Sequence, residues 1–294
     1  MKLAIYGRTI EKSDLAMLDR FFAFLHQQQI PFILEEKFKE HLGSLPYIDS
    51  EKNAFSDTQT LLSSGATHVI SFGGDGTLLE TLLYIKDSGL AVMGINMGRL
   101  GFLSNVPKEN AIQAIETLLA GHYRYEKRTV IELKSANKLF SPNHFALNDF
   151  TIHKRDTGSM ITIDMYLNGE FFNTYWADGI IVSTPTGSTA YSLSCGGPVI
   201  FPDSGNFVIT PVAPHNLNIR PIVVADSTII SFRVRGRGAN HLISLDSRYE
   251  IIDYVQEIAI QKAAFFFNLI KLNNQNFIDT LREKLKWGLD NRNA

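Results

Sequence analysis

His68-Val69-Ile70-Ser71-Phe72 runs directly into Gly73-Gly74-Asp75-Gly76-Thr77, and Leu78, Leu79, Leu82, Leu83 and Ile85 follow before Gly89. The short apolar run predicts a buried strand, the glycines a tight turn, and the leucine spacing a helix beyond it. The same alternation extends both ways. Upstream, Lys2–Tyr6 reads as a strand ending at Gly7. Ser13 is placed to cap a helix whose Leu15, Leu18, Phe21, Phe22 and Leu25 share one face, and Ile30–Leu34 reads as a further strand. Downstream, Leu90–Asn96 is another strand, and Pro107 to Gly121 a helix with proline near its start and glycine after its end. This βαβα order predicts a mainly parallel, doubly wound sheet covered by helices.

From about Tyr125 the rhythm changes. Thr129–Lys134, Ala146–His153, Ser159–Leu167, Glu170–Trp176, Gly179–Ser183, Ser227–Val234 and His241–Leu245 are β-rich runs, several alternating apolar with polar, with turn signals such as Asn168-Gly169 between them. Residues 263–272, AAFFFNLIKL, read as a buried strand. Helical spacing returns at Phe277–Trp287, with Ile278, Leu281 and Leu285 on one side. The expected class is therefore α/β: an N-terminal α/β domain over 1–125 and a β-rich, sandwich-like domain over 126–272. The final helix, within 273–294, is expected to pack back on the first domain.

Composition narrows the function. With 294 residues, 45% apolar and 20% charged, the chain can bury real cores. A formal net charge of −2 without long single-sign runs argues against a nucleic-acid or acidic-membrane surface. The single cysteine, Cys195, rules out an intrachain disulfide and a Cys-rich zinc site, and reads as a packing residue. The first residues lack the apolar run of a signal peptide, and no segment reaches the roughly 20 apolar residues of a membrane helix, so a cytoplasmic protein is expected.

Three segments carry candidate chemistry. In GGDGT, glycines let the main chain approach a ligand, and N–H groups at the helix start favour an anion. An acid inside such a phosphate seat is costly unless it binds metal or takes a proton; the plain alternative is a tight turn with an exposed aspartate. Ala146 to Ile152 sets Asn148 beside Asp149. Adjacent strand residues point to opposite faces, so if both serve one ligand a bulge or strand end lies there. Asparagine can read an adenine edge and aspartate can accept from a sugar hydroxyl; the alternative is a solvated strand face. Between Asp178 and Asp203 no charge interrupts a run of hydroxyls, glycines and prolines, which suits a planar neutral ligand better than a structural loop.

Other residues carry less. His68, His122, His144, His153, His215 and His241 lack zinc-site spacing. Arg233, Arg235 and Arg237 share one strand face, read as a solvated sheet edge. Trp287 reads as a packing anchor.

GGDGT, the pair in ALNDFTI and DGIIVSTPTGSTAYSLSCGGP, in this order, resemble the NAD kinase family, with Asn96–Leu103 and Pro214–Pro221 adding to the match. GGDG alone is shared with diacylglycerol kinases, sphingosine kinases and phosphofructokinases; TPTGSTAYSLS is the discriminating element. The resemblance implies transfer of the terminal phosphate of ATP, or of another triphosphate or polyphosphate, to the 2′-hydroxyl of the adenosine ribose of NAD. Asp75 is then the proton acceptor, and Gly74 and Gly76 shape the phosphate loop. Asn148 and Asp149 hold the adenosine half, where many relatives carry Asn-Glu. Asp178 lies towards the nicotinamide end, and Thr189, Ala190, Tyr191, Ser192, Leu193 and Ser194 wall the pocket with Ala213. Glu80 stands where many relatives have a basic or neutral residue, which weakens any contact of that helix with phosphate. The resemblance further implies a divalent cation, Mg²⁺, with ligands unassigned, and a homodimer or homotetramer. Two rivals share the motif: a lipid or sphingoid-base kinase, and a non-catalytic NAD(P)-binding sensor.

Overall fold

The computed structural model describes all 294 residues except 9, 44, 49–53, 100, 156–159, 236–239, 254–256, 274 and 287–294. The expectations for Leu100, Ser159, Arg237 and Trp287 lie outside the described residues. The chain forms two compact units, one of Met1–Lys127 with Phe267–Ala294 and one of Arg128–Phe266.

In the first unit the chain runs β1 (Leu3–Gly7), α1 (Leu15–Gln27), β2 (Phe32–Glu35), α2 (Glu36–Leu42), β3 (Ala54–Phe55), α3 (Thr58–Ser63), β4 (His68–Phe72), α4 (Asp75–Ile85), β5 (Ala91–Asn96), β6 (Val106–Pro107) and α5 (Ala111–Leu119). The strands pair in parallel in the order β5-β4-β1-β2-β3. Every residue of β1, β4 and β5 is buried, which is why these strands read as continuous apolar runs. The chain leaves β1 towards β2 and β3 and resumes at β4 on the other flank. The carboxyl ends of β1 and β4 therefore bracket a topological switch point, where α/β sheets bind ligands, and the Gly73–Gly76 turn leaves β4 there.

One local expectation fails. Ser13 does not cap α1: a short 3-10 turn, Lys12–Asp14, precedes it, and Asp14 occupies the cap position without a side-chain cap bond. The Asp14 carboxylate instead accepts a 2.6 Å bond from Lys108, and Ser13 donates weakly to Glu11.

β7 (Tyr123–Ser135) leads into the second unit, followed by β8 (Phe145–Ala146), β9 (Asp149–Lys154), β10 (Ile161–Leu167), β11 (Glu170–Ala177), β12 (Gly179–Ser183), α6 (Tyr191–Ser194), β13 (Asn206–Val212), β14 (Ile222–Ala225), β15 (Ile230–Arg235), β16 (Asn240–Leu245), β17 (Arg248–Asp253) and β18 (Glu257–Leu272). One antiparallel sheet runs β14-β13-β12-β9-β16-β17; β11, β10, β15 and the start of β18 form another. Inward residues of both sheets share one core, in which Phe150 of β9 stacks on Phe232 of β15 at 5.9 Å between centroids. This is the sandwich arrangement. The end of β18 pairs with β5, through Asn268 and Leu269, and α7 (Phe277–Leu285) follows.

Two further corrections concern surfaces. The strand carrying Arg233 and Arg235 is no sheet edge, because β15 pairs on both sides, with β10 and β18. Arg235 is bonded to Asp164 at 2.6 Å and Arg233 to Glu257 at 3.0 Å, so the alternation marks the solvent face of an interior strand. The apolar stripe of α7 is largely uncovered: Ile278 is 47% and Leu285 36% exposed. The helix is tied to its unit at its start instead, where the Phe277 ring lies 6.3 Å from Phe102.

Phe232 is 1% exposed. Phe232→Ala should lower the unfolding free energy by about 3–5 kcal/mol through lost burial and the cavity left behind, read from urea or thermal denaturation; a loss below about 1 kcal/mol would contradict the shared core.

Candidate functional site

Asp75 is the first residue of α4, and its carboxylate is enclosed by main chain. Phe102 N–H donates to Oδ2 at 2.8 Å, while Leu103 and Ser104 N–H donate to Oδ1 at 3.0 and 2.9 Å. Gly101 packs so closely that a Cβ there would collide with the carboxylate. Asn96, buried at the end of β5, braces this loop: its amide donates to the Ser104 carbonyl at 3.2 Å and its Oδ1 accepts from Gly98 N–H at 2.8 Å. Behind Asp75, Gly73 adopts φ +155, and a side chain there would strike Thr77. Gly74 and Gly76 are exposed, leaving the start of α4 open to an anion. The acid at the start of α4 thus meets its electrostatic cost through three N–H donors. A carboxylate offers about four lone-pair positions, so one remains, on Oδ2.

Glu80, one helical turn on, receives Arg8 Nε at 2.6 Å and the Tyr6 hydroxyl at 2.5 Å. Its charge is spent on Arg8, at the carboxyl end of β1.

In the second unit, the pair Asn148–Asp149 sits where β8 has ended and β9 begins, the strand end that its shared use requires. Asp246, in the turn between β16 and β17, closes the gap. Its carboxylate accepts from Leu147 N–H at 2.9 Å, Asn148 N–H at 2.7 Å and Asp149 N–H at 3.2 Å, and its own N–H returns a bond to the Asp149 carbonyl at 3.0 Å. Asp149 is 6% exposed. Burial, then the Asp246 charge, push its carboxyl up to about 7, against a weak bond from Thr151. Burial also raises Asp246, but its three N–H donors and the nearby Arg248 guanidinium oppose this. Asp149 has only the weak Thr151 bond to oppose its shift.

The hydroxyl-rich segment turns its hydroxyls mostly inward. Thr184 Oγ1 donates to the Leu147 carbonyl at 2.6 Å and Thr184 N–H to the Asn148 carbonyl at 2.9 Å, sewing the loop to the strand break. Ser188 donates to the Pro185 carbonyl, and Ser192, fully buried, pairs with Thr210 at 2.8 Å. Thr189 donates to the Thr186 carbonyl at 3.3 Å. Of this stretch Tyr191 and Ser194 are exposed, and Ala190 and Leu193 half-buried. The Tyr191 ring is 41% exposed. Burial raises its phenol, helped by a bond to the Cys195 thiol and by the charges of Asp149 and Asp178. Burial also raises Cys195, which keeps it a thiol. Asp178, beside β12, is paired with Lys154 at 2.6 Å. Ala213 is exposed at φ +43, a left-handed conformation that costs an alanine roughly 1–2 kcal/mol.

Sequence reasoning missed Asp246 and the donors 102–104. Phe102 and Leu103 lie in a segment the resemblance singled out and Ser104 follows it, yet all three act through main-chain N–H groups that residue identity does not display. Asp246 stands in Leu245-Asp246-Ser247-Arg248, an ordinary turn signal. Among the described residues no three His, Cys, Asp or Glu side chains converge to hold a metal. No helix among the described residues is long and apolar enough to cross a membrane.

The elevated Asp149 fixes a sign. The unfolded chain ionises this carboxyl near pH 3.9, whereas the folded protein holds the proton to about 7. Stability from Asp149 is thus present below pH 4 and is lost as pH rises through 7. Asp149→Asn should gain on wild type between pH 5 and 8, checked by denaturation at both; a pH-independent difference would remove the proton from Asp149.

A family model described as the ATP-NAD kinase N-terminal domain matches residues 3–123, and one described as the ATP-NAD kinase C-terminal domain matches 147–272. Proteins named NAD kinase from Cytophaga hutchinsonii and Flavobacterium psychrophilum are each 45% identical over 100% of both chains. One from Bacteroides fragilis is 39% identical over 99% of this chain and 100% of its own. Among solved structures, a yeast NADH kinase complexed with NADH has a TM-score of 0.87 at 22% identity, covering 100% of this chain and 89% of that one. An NAD kinase from Archaeoglobus fulgidus in complex with ATP has 0.76 at 24% identity, covering 97% and 99%. At those identities the structural likeness concerns the fold, but the two domain models and the full-length relatives go further: the chain belongs to the NAD kinase family.

Proposed function

We propose that this chain moves the terminal phosphate of ATP to the 2′-hydroxyl of the adenosine ribose of NAD, giving NADP and ADP. The full-length relatives named NAD kinase support the substrates. The observation that carries the mechanism is the Asp75 carboxylate, fixed by three main-chain donors with one Oδ2 lone pair open beside the exposed glycines of an anion-binding helix start. That lone pair receives the proton of the ribose hydroxyl as its oxygen attacks the terminal phosphorus. The bond between that phosphorus and the bridging oxygen breaks, and ADP leaves with the electron pair. Gly74 and Gly76 let the phosphates approach the first N–H groups of α4.

Asn148 is assigned to the adenine edge and Asp149 to a ribose hydroxyl, which a protonated carboxyl can serve as donor or acceptor. The exposed Tyr191 ring offers a stacking face, with Ala190, Leu193, Ser194 and Ala213 lining the same neutral surface. Ser192 and Thr189 hold that wall from behind. Asp178, fixed by Lys154, is assigned to the nicotinamide end. A divalent cation, Mg²⁺, enters with the triphosphate and, when bound, neutralises charge developing on the phosphate oxygens. A homodimer or homotetramer in the cytoplasm completes the reading.

Asp75→Asn should lower kcat for NADP formation by roughly 10²–10⁴-fold, in a coupled assay with ATP, NAD and Mg²⁺. Turnover at the wild-type rate would sink the role of Asp75. Phosphorylation of diacylglycerol or a sphingoid base in place of NAD would sink the substrate assignment.

A further inference from the structure

The turn between β16 and β17 holds a carboxylate that the reaction does not use directly. Asp246 lies at φ +52, a left-handed conformation unusual outside glycine though tolerated by aspartate, and it is half-buried. Its two oxygens take the N–H groups of three consecutive residues, Leu147, Asn148 and Asp149. Three successive amides converging on one carboxylate cannot belong to an extended strand, whose N–H groups alternate in direction. The acceptor therefore enforces the break between β8 and β9, and with it the direction of the two side chains that follow. The Thr184 bonds to the Leu147 and Asn148 carbonyls secure the same residues from the other side.

We propose that Asp246 is a positioning residue for dinucleotide binding: by clamping the amides of residues 147–149 it sets the Asn148 and Asp149 side chains for the adenosine half. This rests on the substrate reading above, since it assigns a task to a pair that the reading places against NAD. Replacing the carboxylate by an amide removes one acceptor oxygen, turns an N–H donor towards a main-chain N–H, and removes a negative charge beside Asp149. Three effects follow. The pair loses its fixed direction, which weakens ground-state binding of NAD more than the phosphoryl step. Binding of ATP is unaffected. The ionisation of Asp149 falls to lower pH. The charged or titratable groups acting on Asp149 and its surroundings are Asp246 and Arg248 from the turn, Tyr191 and Cys195 from α6, and the Asp178–Lys154 pair at the strand ends. Only Asp246 changes in the variant.

The test compares wild type and Asp246→Asn in NADP formation from pH 5.5 to 8.5, with NAD and ATP varied in turn. The expected result is a rise of about tenfold or more in KM for NAD, with kcat within about threefold and KM for ATP unchanged. The pH midpoint of the NAD dependence should move down by about one unit or more, because a like charge is gone. A general loss of stability would not move that midpoint. A folded variant whose KM for NAD stays within twofold, or whose midpoint stays fixed, overturns the proposal. Hydrogen exchange on the wild-type protein covers the case of a variant that does not fold: the amides of 147–149 should be strongly protected, and exchange at open-loop rates overturns the clamp. Wild-type protein that makes no NADP while those amides are protected would sink the substrate reading and leave the clamp standing as structure, its positioning role refuted.

Discussion

Three main-chain N–H groups closing on the carboxylate of Asp75 are the contact on which the arrangement of the first unit depends. A negative group at a helix start that favours anions is repelled by any anion bound there and stranded without one, and such a charge ordinarily shifts, pairs or leaves. Here the turn after β5 supplies the compensation. The donors are neutral dipoles, so they hold the carboxylate without cancelling its charge, as a salt bridge to lysine or arginine would. They are also fixed by the fold, because Asn96 and the close packing at Gly101 pin the loop that carries them. The one hydrogen-bonding position left open is thereby given a direction, which a freely rotating aspartate would lack.

The same device recurs in the second unit with the roles reversed. At Asp75 the carboxylate is the group being held, and a loop of amides holds it. At Asp246 the carboxylate is the holder, and the amides of 147–149 are held. In each case three successive donors meet one acid, a geometry outside helix and strand; at Asp75 the acid itself is the candidate site residue, and at Asp246 the held segment carries two. Strand pairing determines which residues can be brought near each other; these two anion nests determine which way their side chains turn. Burial first, and then the nearness of the Asp246 carboxylate, raise the proton affinity of Asp149, so the turn that orients the pair also bears on its ionisation.

Much of the fold was legible because it rests on burial. β4 and β12 match the sequence reading residue for residue, since each is an apolar run buried throughout and flanked by turn-forming residues. β13 was missed: Pro211 counts against an interior strand, yet β12 and β14 pair on either side of it. The short α2 and α3 were missed as well, because seven and six residues are too few for helical periodicity to emerge. The alternating arginines misled for a related reason. Alternation reports that one face meets solvent, which is equally true of an edge strand and of an interior strand such as β15.

The candidate site was legible in its residue types and illegible in its restraints. Asp75, Asn148, Asp149 and Tyr191 could be named because their side chains suit the chemistry. The hydroxyls of Thr184, Ser188 and Ser192, taken together as a polar lining, proved to be internal fasteners, bonded to carbonyls or, for Ser192, to the Thr210 hydroxyl, and buried. A hydroxyl in a sequence does not reveal whether it faces a ligand or its own backbone; only the geometry of its neighbours does. That distinction bears on how such a segment tolerates change. The exposed Tyr191 and Ser194 can vary without unfastening the loop. Thr184 cannot, because its hydroxyl bridges the loop to the carbonyl of Leu147 and so supports, one residue away, the orientation of Asn148. The uncharged character of the whole stretch is then partly a consequence of burial: a lysine or glutamate at these inward positions would have no partner.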